Sequence, residues 1–170
     1  MAAFKLISEI IKLSESKEWE EAKEEWNLAT VYEADEPETC LCGHFPIIEL
    51  CIINNIHNNQ TTTVGNCCVK KFMGIRSDKL FTAIKKIKKE PTKSVNLELL
   101  EYAFGKAWIN DWEFNFYDDI LRKRVLTYKQ EGIKKKLNAR IMFGWNKKEK
   151  TTATVKRYTA TFDDNSLIDL

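Results

Sequence analysis

Cys40-Leu41-Cys42-Gly43-His44 and, further on, Val64-Gly65-Asn66-Cys67-Cys68 gather most of the soft metal-ligating side chains of this chain. All five cysteines fall between positions 40 and 68, the fifth being Cys51, and the second histidine, His57, sits in an asparagine-rich turn. Thiolates and an imidazole drawn that close are the donor set of a tetrahedral zinc site. Gly43 directly after Cys42 suits a tight knuckle whose backbone N–H groups turn towards sulfur. Cys67 and Cys68 sit where a helix is expected to begin, and the positive end of a helix favours thiolate. The spacing departs from the usual pair of Cys-x-x-Cys motifs: here it is Cys-x-Cys, then two adjacent cysteines. Adjacent helical residues point about 100° apart, so one of Cys67 and Cys68 is expected to miss the metal. The expected ligands are Cys40, Cys42 and Cys68. The fourth is open, with His44 first, then Cys67, then Cys51. The metal is expected to be structural Zn2+.

Catalytic chemistry finds little support. A zinc deaminase wants His-x-Glu and a later Pro-Cys-x-x-Cys, and neither occurs. Glu49, the nearest acid after the knuckle, falls in mid-strand with no evident partner. His44, Asn54 and Asn66 match a ββα-metal nuclease too loosely. No Ser/His/Asp set, phosphate-binding loop or dinucleotide fingerprint is present. The chain is expected not to be an enzyme, and no small-molecule substrate is evident.

The elements that must position these residues follow from pattern. Phe4, Leu6, Ile7, Ile10, Ile11 and Leu13 form a helical stripe, and Trp19, Ala22 and Trp26 continue at helical spacing, so the first 30 residues read as helix. Residues 33–39, acidic and containing Pro37, read as a loop. Ile47 to Ile53 and Thr61 to Val64 flank an Asn-rich turn and predict a β-hairpin. Gly65 then allows a sharp turn into a helix. Leu80, Phe81, Ile84 and Ile87 give a helix closed by Pro91, and Asn96 caps another through Trp108. Asn110 with Glu113 opens a helix to Leu126. Thr127 with Gln130 is a capping box for the last helix, which Gly144 closes. Residues 151–162 alternate as a short strand before an acidic tail.

These elements predict an α+β fold. A zinc-stabilised knuckle–hairpin–helix core, treble-clef-like, spans residues 39–78. An N-terminal helical arm covers 1–38, and a basic helical region with a short C-terminal strand covers 79–170. The 44% hydrophobic content and five tryptophans suffice for a core. No apolar run approaches the roughly 18–20 residues a membrane span needs, and the opening segment is too soon polar for a secretory signal. Clustered cysteines, odd in number, fit a reducing cytoplasm and no membrane partner.

The run Cys40-x-Cys42-Gly43-His44, Cys51-x-Ile53-x-Asn55 and Val64-Gly65-Asn66-x-Cys68-Val69-Lys70-Lys71-Phe72 resembles a family of small bacterial and phage proteins with a CxCGH…VGNxCVKxF zinc-finger-like core. Trp112-Glu113-x-x-Phe116-Tyr117, Lys123-Arg124-x-Leu126-Thr127-x-Lys129-Gln130 and Asn138-x-x-Ile141 extend the resemblance, which covers about residues 19–141. It implies a metal-binding fold, with Cys68 as the recurrent cysteine and Cys67 an addition. It implies no activity.

The net charge of +2 conceals an asymmetry. Residues 1–39 hold eleven acids and four bases, residues 69–93 nine bases and two acids, and residues 122–150 eleven bases and two acids. Two functions follow as expectations. One is a non-catalytic accessory protein that binds nucleic acid through phosphates, using Lys70, Lys71, Lys85, Lys86, Lys89, Arg122, Lys123, Arg124, Lys134 and Lys135, with Tyr128, Trp145 and Tyr158 as stacking residues. Lysine outnumbers arginine, which favours loose backbone contact over base reading. The other is a protein-interaction adaptor or phage-type modulator of a host complex, using the aromatic segment Trp108 to Tyr117.

Overall fold

The computed structural model describes residues 2–147. The strand and acidic tail read over 151–170, Tyr158 included, lie outside the described residues. The chain divides into two units, one ending at Arg76 and the other beginning at Ser77. Among the described residues the fold is α+β, with seven helices and one three-stranded antiparallel sheet.

In the first unit, helix α1 (Ala2–Leu13) buries Leu6 and Ile10 and packs beside the short α2 (Trp19–Ala22). A 3-10 turn over Lys23–Glu25 leads straight into β1 (Trp26–Glu38). This corrects the sequence reading, which carried helix through residue 30 and put a loop over 33–39. The Trp19, Ala22, Trp26 spacing spans a helix, a 3-10 turn and the first strand residue. From Trp26 the β-branched and aromatic run Thr30-Val31-Tyr32 takes over, because it can pair with β2 (Ile47–Asn55). Sheet order is β1-β2-β3, with β3 at Thr61–Gly65. Leu50 pairs with Gly65 and Cys51 with Val64. The Asn-rich turn behaves as expected: Asn55 Oδ1 accepts from the His57 and Asn58 N–H groups, and Asn59 takes φ 59°. Helix α3 (Asn66–Met73) then packs on β2 and β3.

One buried polar clamp ties α1, β1 and the hairpin together. The Glu25 carboxylate, 5% exposed, accepts from the Glu15 N–H at 2.8 Å, the Ser16 N–H at 2.7 Å and the Asn55 amide. Beside it, the Trp26 indole N–H donates to Ser14 Oγ at 2.8 Å, and Ser14 Oγ donates to the Ile10 carbonyl. A buried carboxylate persists only when its oxygens are satisfied in this way.

The second unit is four helices: α4 (Ser77–Lys89), α5 (Leu97–Gly105), α6 (Asp111–Leu121) and α7 (Tyr128–Asn146). Each packs on two others, in the cycle α4–α5–α6–α7. Leu80, Phe81, Ile84 and Ile87 form the buried face of α4, as their spacing predicts. Asn96 caps α5, and Asn110 with Glu113 and Thr127 with Gln130 form the two capping boxes. The helix begun after Asn96 stops at Gly105, short of Trp108, and the one after Asn110 stops at Leu121, short of Leu126. Gly144 does not close α7; it is buried within the helix, where an added Cβ would overlap the Trp108 indole. Trp145 meets Phe81 edge-on at 5.5 Å, so it is a packing residue and not the base-stacking platform the sequence suggested. At the centre, Tyr117 Oη donates to Asn138 Oδ1 at 2.6 Å and accepts from the Val95 N–H at 3.1 Å, while the Asn138 amide donates to the Pro91 and Lys93 carbonyls.

Candidate metal centre

Cys40 to His44 form the knuckle. Gly43 donates its N–H to the Cys40 carbonyl at 2.7 Å, and Cys40 donates its N–H to the His44 carbonyl at 2.9 Å. Gly43 holds φ +87°, a conformation that costs other residues strain. The loop turns the two cysteine side chains the same way, and both are buried.

The hairpin returns the chain so that Gly65, at the end of β3, lies beside the knuckle. Its N–H donates to Cys40 Sγ at 3.2 Å. Gly65 has an ordinary φ of −66°, so its service is not the sharp turn expected of it. It allows close approach: a Cβ there would stand 3.2 Å from Ile47 Cδ1 and 3.4 Å from Cys40 Sγ. One residue on, α3 begins, and Cys68 in its first turn brings Sγ to 3.5 Å from Cys42 Sγ.

The sulfur atoms of Cys40, Cys42 and Cys68 all lie within 4.8 Å of one another. With Zn–S bonds near 2.3 Å, tetrahedral sulfurs stand roughly 3.8 Å apart, so the three fit one thiophilic metal ion. They form the only such group of cysteine, histidine and carboxylate side chains among the described residues. His44, the expected fourth ligand, contributes its backbone to the knuckle, but its exposed side chain stands outside the group. Cys67 is exposed and Cys51 is buried under the sheet; neither joins the three. His57 is exposed in the hairpin turn.

The protonation of the three thiols is divided between them. Burial works to raise Cys42, but hydrogen bonds from the His44 backbone, from Cys40 and from Cys68 outweigh it and hold Cys42 below the ordinary thiol range. Cys68 is pushed well above that range by burial first, then by its hydrogen bond to Cys42 and the negative charge of its two neighbours. In the absence of metal, one proton is thus shared in a group poised to surrender it. Metal binding displaces such protons and tightens as pH rises.

Of the basic residues proposed to meet phosphate, Lys70, Lys71, Lys85, Lys86, Lys89, Arg122, Lys123, Arg124 and Lys135 are exposed, and Lys134 is half-buried. Lys123 pairs with Asp119. The sequence reading missed the Glu25 clamp, because a glutamate in an acidic run carries no mark of burial. Comparison of the chain with family models, with curated proteins and with solved structures returns no match.

Proposed function

We propose that the chain is a zinc-stabilised, non-catalytic accessory protein that binds nucleic acid through backbone phosphates. Cys40, Cys42 and Cys68 would hold the zinc in a treble-clef-like arrangement, with the metal serving to lock knuckle, hairpin and helix. Three sulfurs, two of them buried, favour a soft or borderline ion over a hard one. The observation that carries the polyanion reading is the outward face of α4. Its apolar residues are buried, while Lys85, Lys86, Lys88 and Lys89 are all exposed. Lysines on one helix face form a charge stripe suited to phosphates without base reading.

The test is fluorescence anisotropy with a labelled mixed-sequence single strand. Binding is expected at low salt, falling linearly in log K against log salt. A K85Q/K86Q/K89Q variant is expected to weaken it and to flatten the slope by about 0.7 for each phosphate no longer neutralised. Undetectable binding at low salt with the folded, metal-loaded protein sinks the proposal.

A second reading, a protein-interaction adaptor, is favoured by one observation. Trp112 on α6 is 62% exposed although it stacks on Phe116 at 5.5 Å. Tryptophan is enriched among the anchor residues of protein interfaces. A protein partner captured from nuclease-treated extract and lost with Trp112→Ala would favour this reading over the first.

A further inference from the structure

The identity of the fourth metal donor can be argued from the chain's complete inventory. Both histidines and all five cysteines lie within the described residues, so every sulfur and imidazole the chain can offer has a known place. Cys51 is fully buried in β2, its Cα paired with Val31 and Val64. Cys67 sits about 100° round the helix from Cys68 and is exposed. His44 is held by its carbonyl in the knuckle, with its side chain exposed. His57 lies beyond the Asn54–Thr61 pair, whereas the sulfurs gather at the Leu50–Gly65 end of the hairpin. Four residues of strand separate the two, or about 13 Å. Glu49 takes a hydrogen bond from the Asn66 amide at 2.6 Å and is not grouped with the sulfurs.

The open side of the group is wet. Cys40 and Cys42 are buried, Cys68 is half-buried, and the residues around the rim, Gly43, His44 and Cys67, are exposed. A cation stands there too: the Lys5 ammonium would lie 2.9 Å from a Cβ placed on Gly43. Three thiolates on a divalent ion leave one negative charge, and a fourth thiolate leaves two. Lys5 and the positive end of α3 both favour that added charge.

We propose that Cys40, Cys42 and Cys68 form a three-thiolate centre whose fourth ligand is an exchangeable low-molecular-weight thiol taken up from solution at this rim. The proposal rests on the metal reading above, and its test separates the two. The full chain, reduced with a phosphine in thiol-free buffer, is loaded with Co(II) and titrated with 2-mercaptoethanol. Sulfur-to-cobalt absorption is expected at one equivalent of Co(II), rising by about one third on saturation as three sulfurs become four, with the protein still monomeric. Cys51→Ser, Cys67→Ser and His44→Ala are expected to give the wild-type spectrum before and after thiol. A strong Co(II) spectrum indifferent to thiol overturns the proposal and leaves the metal reading standing. So does a thiol-free spectrum altered by any of those three variants, or a dimer that forms on loading and needs Cys67. No Co(II) absorption in folded protein overturns both.

Discussion

Three cysteines with similar surroundings in sequence have different duties in space. Cys40 accepts the Gly65 N–H, Cys42 is held low by its neighbours' hydrogen bonds, and Cys68 retains the proton that metal would displace. Cys67, one residue from Cys68, is exposed. Cys40→Ser and Cys68→Ser are therefore expected to abolish stoichiometric zinc and lower the melting temperature, while Cys67→Ser keeps both near wild type. Metal analysis and thermal melts of the three variants check this, and equal loss in all three would contradict the assignment. The scale is large, because structural thiolate zinc sites are worth about 10 kcal/mol or more to small modules.

At the scale of elements, two contacts decide how the helices and strands meet. Glu25 joins the end of α1 to the hairpin through two backbone N–H groups and Asn55. Burial works to raise its pKa, but those hydrogen bonds, with the His57 charge, outweigh it and lower it. A lowered carboxylate contributes stability that is present above the unfolded value of about 4.3 and lost as pH falls through the folded one. Glu25→Gln should flatten this acid limb in urea melts run from neutral pH to below 4. Glu25→Ala should destabilise at neutral pH by about 1–3 kcal/mol for each buried donor left unpaired. In α7 the two glycines should behave oppositely. Gly132→Ala meets open space and should stabilise by about 0.5–1 kcal/mol through helix propensity. Gly144→Ala drives a methyl into Trp108 and should destabilise by about 1–3 kcal/mol despite the same propensity gain. Denaturant midpoints of the pair distinguish backbone preference from packing.

At the scale of the molecule, the metal group lies wholly in the unit ending at Arg76, and the helical unit from Ser77 has its own buried face and its own polar centre at Tyr117 and Asn138. Chelation should therefore act unevenly. Hydrogen exchange after EDTA treatment is expected to lose protection in β2, β3 and α3 while α4 to α7 keep theirs. Uniform loss across both units would show that they fold as one cooperative block.

Local chemistry was legible wherever a few neighbouring residues settle the outcome. Cap boxes at Asn110 and Thr127, the apolar stripe of α4, the Asn-rich turn and the convergence of Cys40, Cys42 and Cys68 all follow from short-range spacing and donor type. The strand over Trp26–Glu38 was not legible, because its pairing partner begins at Ile47 and its sequence also satisfies helical spacing at Trp19, Ala22 and Trp26. Gly144 looked like a terminator because only the fold brings Trp108 against it. Gly65 looked like a turn because only the fold brings Cys40 sulfur beside it. The sequence by itself determined which atoms can bind a metal and where helices start. The tertiary structure decided which sulfurs meet, which glutamate is buried and which glycine is crowded, since each depends on contacts between residues distant in the chain.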